Sequence, residues 1–176
     1  MDLLNTEEAL RQYIDIVIAE AKGNLAKQGK NASGSLSDSI KSTGVSFTDN
    51  GIEAGIEMNS YGLFIDKGVS GIKKKYATPY SYKSKGGKYG LKGMPPYKAL
   101  DKWSVRRGIA PRDEKGKFLP RRQVLFLIAR GIFNNGLKPS LFLTKPFDKM
   151  RNELPVKLVE AFREDAKAEL KTVFDK

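Results

Sequence analysis

Two short stretches combine cations with aromatic side chains, and these residue types could do chemistry. Lysines contact phosphate groups and tyrosines stack on bases, which is how many single-strand nucleic-acid binders work. The same side chains suit docking on an acidic protein surface, and a solvated loop is the third interpretation. The side chains concerned are Lys73, Lys74, Lys75, Tyr82, Lys85, Lys88 and Tyr89.

The positive charge of the chain is concentrated in one segment. The formal net charge is +12 over 176 residues. Between Lys67 and Arg122 there are 17 Lys and Arg against 3 acidic residues, which is a net charge of +14. The rest of the chain holds 15 basic and 17 acidic residues. A basic surface carried by a nearly neutral scaffold is therefore predicted.

Catalysis and metal binding lack their usual side chains. The chain has no histidine and no cysteine, which removes the commonest general base, the thiolate nucleophile and the commonest metal ligands. Asp113-Glu114 is the acidic pair of the basic segment, and its turn-like context favours a solvated loop. Gly86-Gly87-Lys88 lacks the spacing and the Ser or Thr of a phosphate-binding loop. We therefore predict a protein that is not an enzyme and uses no cofactor or metal.

Long helices are predicted at both ends. The first is expected to begin at Thr6 as N-cap and to end near Gly29. Its apolar residues recur at three- and four-residue steps and form one stripe, at Leu10, Ile14, Val17, Ala21 and Leu25. The last helix is expected to begin near Pro146, to carry Phe147, Met150 and Leu154 on one face, and to be interrupted or kinked at Pro155.

The middle of the chain predicts a hairpin and shorter helices. Alternating apolar residues from Val45 to Met58 surround a tight turn at Asp49-Asn50-Gly51. A short helix is predicted over Tyr61–Asp66, closing at Gly68, and another begins at Pro95-Pro96 with Leu100 and Trp103 buried. A helix over Arg121–Asn135 is expected to bury Val124, Leu127, Ile128 and Ile132. Leu141–Leu143 is interpreted as a strand or a docking segment.

These elements predict an α+β fold, in which a small antiparallel hairpin is packed by long N- and C-terminal helices, with a basic loop and helical insertion. Residues 1–176 are predicted to form a single domain with a core of 1–68 and 94–176. Residues 69–93 are interpreted as a mobile basic loop or arm. The acidic N-terminal sequence and the absence of a long apolar run predict a chain that folds in a cytoplasm and does not enter a membrane.

Four stretches, in this order, resemble the tail-completion (neck, or minor tail) proteins of long-tailed bacteriophages. The first is Ser33-Gly34-Ser35-Leu36-Ser37-Asp38-Ser39-Ile40, and the second is Tyr61-Gly62-Leu63-Phe64-Ile65-Asp66-Lys67-Gly68. The third joins Pro95–Ile109 to Ala129-Arg130-Gly131-Ile132 and Asn135-Gly136, and the last is Pro139-Ser140-Leu141-Phe142-Leu143-Thr144-Lys145-Pro146-Phe147.

The resemblance implies a compact α+β protomer that forms a homo-oligomeric ring without catalysis. It implies a virion protein of the neck or tail that is assembled in the host cytoplasm and joins the tail to the head. Its partners would be other copies of itself and portal, connector or tail proteins, with contact to the packaged DNA left open. In this hypothesis the basic arm orders against acidic surfaces of its neighbours.

A ring requires two different patches on each copy. The hairpin, the arm from Lys67 to Gly93 and the C-terminal helix are the candidate patches. The contact candidates outside the lysine-rich stretches are Tyr61, Phe64, Asp66, Gly68, Phe142 and Phe147; for the aromatic ones the alternative is packing inside the core. Two other hypotheses stay open: a basic nucleic-acid-binding module without catalysis, and a factor that binds an acidic host protein.

Overall fold

The computed structural model describes residues 3–30, 33–49 and 51–174, with the main chain but not the side chain of Tyr89. It has the predicted α+β architecture. Its elements are α1 (Leu4–Lys27), α2 (Ser35–Ser39), β1 (Lys41–Thr48), β2 (Gly51–Glu57), α3 (Gly62–Lys67), α4 (Asp101–Arg106), α5 (Arg121–Asn135) and α6 (Thr144–Phe174). Two short 3₁₀ turns lie at Lys88–Gly90 and Tyr97–Leu100.

The chain folds as two compact units. The scaffold unit comprises Met1–Asn59 and Phe142–Lys176, and the basic unit comprises Ser60–Leu141. The sequence predicted instead a single domain with a core of 1–68 and 94–176. Whether the chain unfolds as one domain stays a prediction.

The core of the scaffold unit lies between α1, α6 and the hairpin. All five residues of the predicted α1 stripe are buried. Tyr13, Ile14 and Val17 pack with Met150 of α6, and the partly buried Ala54 and Ile56 of β2 close the cluster. The predicted packing of a hairpin by the two long helices is therefore confirmed.

The strands β1 and β2 pair antiparallel, with Lys41 opposite Glu57 and Thr48 opposite Gly51. The register shifts between Ser42 and Val45. Gly44, inside this irregularity, has a φ of +83°, a conformation that glycine adopts without steric cost. The predicted turn at Asp49–Gly51 includes Asn50, which lies outside the described residues.

The ends of α1 and α6 differ from their predictions. The helix α1 begins at Leu4, and Thr6 lies inside its first turn rather than at the N-cap. The helix α6 begins at Thr144 and continues through Pro155 without a break. Proline removes only one helical hydrogen bond, and the packing of α6 along α1 holds the helix despite that loss. Leu141 to Leu143 form a turn and not a strand, with Leu141 at a φ of +53°.

In the basic unit, α3 ends at Lys67 with Gly68 as its C-cap and α5 spans Arg121–Asn135, both as predicted. The buried face of α5 is rotated from the predicted one: Val124, Leu125, Ala129 and Phe133 are buried, whereas Leu127 is exposed. Trp103 was expected in the core but is exposed, and Ser104 is buried in its place. Periodicity alone did not distinguish these faces, because α4 is only six residues long and α5 is apolar on two sides.

Candidate interaction surface

The basic unit carries nearly all the excess charge of the protein. Residues 60–141 contain 19 Lys and Arg and 4 Asp and Glu, so their net charge is +15. The scaffold unit has 13 basic and 16 acidic residues, a net charge of −3. The excess positive charge therefore lies within one structural unit, and a negatively charged partner would be attracted to the basic unit first.

The segment that follows α3 is fixed across the C-terminal end of α5. Val69 and Leu137 exchange two backbone hydrogen bonds, of 2.9 and 2.8 Å. The N–H of Ile72 donates to the carbonyl of Phe133, and those of Lys73 and Lys74 donate to the carbonyl of Asn134. The last carbonyls of a helix have no partner within it, so this segment satisfies them and serves as a cap supplied from 60 residues away.

Three glycines allow this close approach. A Cβ on Gly71 would lie 2.2 Å from the carbonyl oxygen of Asn134, and one on Gly136 would lie 2.0 Å from that of Val69. A Cβ on Gly68 would lie 2.5 Å from the carbonyl oxygen of Leu137. Gly68 and Gly136 also have φ values of +72°. Gly68 is therefore an internal backbone contact, and not an exposed one.

Ser70 closes the next stretch of chain into a loop. Its N–H donates to the carbonyl of Tyr80 and its carbonyl accepts from the N–H of Tyr82. Its hydroxyl donates to the carbonyl of Tyr76 and accepts from the N–H of the same residue. Thr78 adds a hydrogen bond from its hydroxyl to the carbonyl of Gly68. The first half of the predicted arm is thus held by side chains and backbone of its own unit.

Aromatic contacts secure the far end of this loop. The rings of Phe64 and Tyr80 meet edge to face, with centroids 4.6 Å apart, and those of Tyr82 and Phe133 are 6.1 Å apart. Burial raises the pKa of the Tyr82 hydroxyl above its ordinary value. Tyr82 is therefore a packing residue first, while Phe64 keeps part of its ring exposed.

Residues 83–93 form a separate small loop that is exposed along most of its length. Lys85 and Lys92 are joined by a backbone hydrogen bond of 2.7 Å, and Ser84 donates to the carbonyl of Gly90. A Cβ on Gly93 would lie 2.6 Å from the carbonyl oxygen of Lys83, so the two ends of the loop nearly touch. Its four lysines, at 83, 85, 88 and 92, are all exposed. The side chain of Tyr89 lies outside the described part of the chain.

A third exposed basic region precedes α5. The guanidinium of Arg112 lies over the ring of Phe118, 3.9 Å from its centroid. Between them, the carboxylate of Asp113 accepts the N–H groups of Lys115 and Lys117 at 3.0 and 2.9 Å. The predicted turn at Asp113-Glu114 is therefore confirmed, and this carboxylate serves local structure.

An open cleft lies beside this region in the basic unit. Its volume is about 510 Å³, and its lining combines two aromatic rings with a guanidinium: Tyr97, Pro120, Arg122, Gln123 and Phe126. A flat π-system or a proline-containing peptide fits such a lining, because rings and a cation converge there without an acidic group.

In the scaffold unit, the carboxylate of Asp165 in α6 caps the first turn of α1. Asn5 donates to one oxygen from its N–H and its amide, at 2.9 and 2.8 Å, and Thr6 donates to the other from its N–H and hydroxyl, at 2.9 and 2.7 Å. Burial raises the pKa of Asp165, but the hydrogen bonds from Thr6 and Asn5 outweigh it and hold this pKa at about 2. Sequence patterns missed this cap, because Asp165 and Asn5 are 160 residues apart.

The predicted contact residues divide into exposed and buried groups. Tyr61, Phe64 and Phe147 are exposed, although Phe147 also packs edge to face on Tyr13 at 6.3 Å. The side chains of Lys73, Lys74, Lys75, Lys85 and Lys88 are exposed as well. Asp66, Gly68 and Phe142 are buried. Asp66 accepts the N–H groups of Ser140 and Leu141 through its carbonyl, and Phe142 accepts the amide of Asn24 through its carbonyl.

Comparisons with protein-family models, with curated proteins and with solved structures found no match to this chain. Within residues 3–30, 33–49 and 51–174, the acidic residues form no group of three or more that could hold a metal ion. Across the same ranges, none of the helices combines the length and the apolar character that crossing a membrane requires.

Proposed function

We propose that this chain is a non-enzymatic structural protein of a tailed bacteriophage, which assembles with its own copies into a ring at the neck and joins the tail to the head. The observation that carries the proposal is the pairing of two family-like stretches. Ser140, in the fourth stretch, donates to the carbonyl of Ile65, in the second, from its N–H at 3.2 Å and from its hydroxyl at 2.6 Å. Leu141 donates to the carbonyl of Asp66 at 2.9 Å.

The first and third stretches support the same proposal. The helix α2 leads into the hairpin, and the hydroxyl of Ser39 accepts the N–H of Asn59 where the hairpin ends. In the third stretch, the carboxylate of Asp101 at the start of α4 accepts a hydrogen bond from the guanidinium of Arg121, which lies outside the stretch at the start of α5. In both stretches, a residue of the family-like motif fixes a junction between two elements.

Exposed apolar side chains are available for contacts between copies. Phe47 near the end of β1 is 54% exposed, and Tyr61, just before α3, is exposed like Leu63 and Phe64 within α3. The two groups lie on different elements, as the head-to-tail contacts of a ring require. They are the patches that we expect neighbouring copies to bring together.

The first test is quantitative mass spectrometry of purified particles of the phage that encodes the chain. A few to about a dozen copies per particle, counted against the major capsid protein, would fit one closed ring. Absence from purified particles, with the chain abundant in infected cells, would overturn the proposal.

The loop at 83–93 is the part of the predicted arm that we propose docks on an acidic neighbour. Residues 69–82 are hydrogen-bonded to their own unit, so removing them would damage the cap on α5. Because the ends of the 83–93 loop nearly touch, deleting residues 84–92 removes three of its four lysines and leaves the cap in place. We expect this deletion to abolish tail joining. The control replaces the same residues with an uncharged Gly-Ser segment of equal length, and unimpaired joining by both variants would contradict the docking role.

A second candidate function, binding of single-stranded nucleic acid, is favoured by the cleft of Tyr97, Phe126 and Arg122 in a unit of net charge +15. It predicts that the full chain binds a labelled oligonucleotide with an affinity that falls steeply between about 50 and 200 mM salt. Phe126→Ala should weaken binding by roughly 10-fold through lost stacking. Leu127→Ala, one residue away and outside the cleft, is the matched control. Equal binding by the two variants would exclude the cleft as the site.

A further inference from the structure

The outer face of α6 carries apolar side chains that no other described residue covers. Val156, Val159, Leu170 and Val173 are between 56% and 63% exposed. The opposite face of the helix carries the contacts to α1, through Met150, Leu154 and Asp165. The exposed face is therefore a second apolar surface on one helix, and the fold of the scaffold unit does not require it.

The spacing of this face follows a heptad. Positions 156, 159, 163, 166, 170 and 173 alternate three- and four-residue steps, which is the pattern of a helix that packs along another helix. We call these residues the α6 seam: Val156, Val159, Arg163, Ala166, Leu170 and Val173. The seam and the following Phe174 extend over about 27 Å of helix, enough for five turns of contact.

The seam is complementary to itself when two copies run antiparallel. Centred between Glu164 and Asp165, this arrangement places Val156 against Val173 of the other copy, and Val159 against Leu170. In the middle layer Arg163 meets Ala166, whose small side chain leaves room for the arginine stem while the guanidinium reaches solvent. The largest side chain of the seam therefore lies against the smallest one, as close packing of two helices demands.

The flanking charges are complementary in the same arrangement. Glu160 and Lys167 follow the seam on one side, and the antiparallel centre brings Glu160 of each copy beside Lys167 of the other. Lys167 also pairs with Glu164 of its own helix at 2.7 Å, and both side chains are exposed. Lys167 would therefore lie between two carboxylates, whereas a parallel arrangement would set Arg163 of one copy against Arg163 of the other.

We propose that the α6 seam is a twofold interface, at which two copies of this chain pair through antiparallel α6 helices. The contact is isologous and closes at two copies, so it is distinct from the head-to-tail contacts of a ring. It does not depend on the proposed role at the phage neck. In a ring-forming protein it would join two rings face to face or hold chains in pairs before the ring forms.

Sedimentation equilibrium of the full chain tests the pairing. We expect the mass to rise from one to two chains of 19.6 kDa. This rise should occur between about 1 and 200 μM protein, a range that detects even a weak specific contact. Val159→Glu with Leu170→Glu would set like charges against each other across the interface and should weaken the pairing at least about 100-fold. A wild-type chain that stays monomeric up to the highest concentration would overturn the proposal.

Charge exchange tests the antiparallel register without changing the core. Glu160→Lys and Lys167→Glu should each weaken pairing, because each sets like charges opposite one another. The two substitutions together restore opposite charges and should recover the wild-type dissociation constant. Lys171→Glu makes the same charge change on the same helix outside the seam, and should have no effect. A double exchange that stays as weak as the single variants would overturn the antiparallel register.

The arginine in the seam gives a test in the opposite direction. Arg163→Leu replaces its one charged residue by an apolar one and should tighten pairing about 10-fold or more. Each variant is first compared with the wild type by circular dichroism, so that lost pairing is separated from lost helix. A wild-type chain that pairs while Arg163→Leu leaves the pairing unchanged or weaker would place the interface elsewhere.

Discussion

Each of the two units of this protein is stabilised internally in a different way. In the scaffold unit, α1 and α6 run side by side and bury a continuous apolar stripe from Leu10 to Leu25. In the basic unit, the segment after α3 crosses the end of α5 at backbone distance, where glycines replace side chains. The first unit is stabilised mainly by burial of apolar side chains, and the second depends far more on backbone hydrogen bonds.

The difference explains how +15 of charge can be placed on 82 residues. Lysines can occupy many exposed positions of the basic unit, because the path of residues 69–82 is fixed by peptide groups and a few rings rather than by a broad apolar face. The scaffold unit needs its side chains for the core and carries almost no net charge. The residues that form the core and the residues that carry the excess charge are thus different, and they can be changed separately.

The largest expected effect is a loss of stability from a single methyl group in the basic unit. Gly71→Ala places a Cβ 2.2 Å from a backbone oxygen of α5. Because neither backbone can move without breaking the cap, we expect a loss of about 3 kcal/mol or more in the free energy of unfolding. Urea denaturation followed by the fluorescence of Trp103, the one tryptophan of the chain, reports on this unit.

Gly131→Ala is the matched control for this prediction. Gly131 lies inside α5, and a Cβ added there would meet nothing within 4 Å. Alanine should therefore stabilise the helix by about 0.5–1 kcal/mol. If both substitutions shift the unfolding midpoint in the same direction, the close approach at Gly71 does not determine the stability of the basic unit.

The scaffold unit could be predicted from sequence because its cause is periodic. Each residue of the α1 stripe repeats the same signal, and the alternation in β2 identifies the strand that packs on it. The cap by Asp165 could not be predicted, because one carboxylate among 20 acidic residues carries no pattern. Its partner helix is 160 residues away, so only the fold identifies it.

The basic unit was predicted less well, because the contacts that fix its chain follow no periodic pattern. The lysines and glycines of 69–93 suggested an arm without a core, yet Val69 and Ser70 are buried and the chain is fixed as far as Tyr82. Glycine can signal flexibility or close approach, and composition does not distinguish the two. The charge of the surface was visible in the sequence, whereas the cleft beside Phe126 depends on how α5 is rotated.

A smaller effect is expected from the pH dependence of the scaffold unit. The folded pKa of Asp165 is about 2, below its ordinary value of 3.8. A lowered pKa means that the unfolded chain binds the proton first as the pH falls. The stabilisation of the fold by the ionised Asp165 carboxylate is therefore complete above about pH 4 and is lost as the pH falls towards 2. Asp165→Asn should lower the thermal midpoint at neutral pH and weaken the dependence of that midpoint on pH between about 4 and 2. Circular dichroism at 222 nm, dominated by α1 and α6, measures it.

Asp148→Asn is the control, since it removes the same charge from an exposed position of the same helix. It should leave both the midpoint at neutral pH and its acid dependence close to those of the wild type. An Asp165→Asn variant that keeps the wild-type profile would assign the acid sensitivity of the scaffold unit to other carboxylates.

The smallest effect separates the two lysine stretches of the basic unit. The backbone N–H of Lys74 donates to the carbonyl of Asn134, so the main chain of Lys74 lies at the negative end of the α5 dipole, and its ammonium lies 5.7 Å from the centroid of the Tyr76 ring. Lys74→Glu should cost roughly 0.5–1 kcal/mol at low salt, and less as salt screens the interaction. Lys85→Glu makes the same charge change in the 83–93 loop, away from any helix end, and should cost less than about 0.5 kcal/mol. Urea denaturation followed by Trp103 fluorescence at low and at high salt compares the two. Equal costs would mean that the helix end does not distinguish these lysines, and that only the total charge of the unit affects its stability.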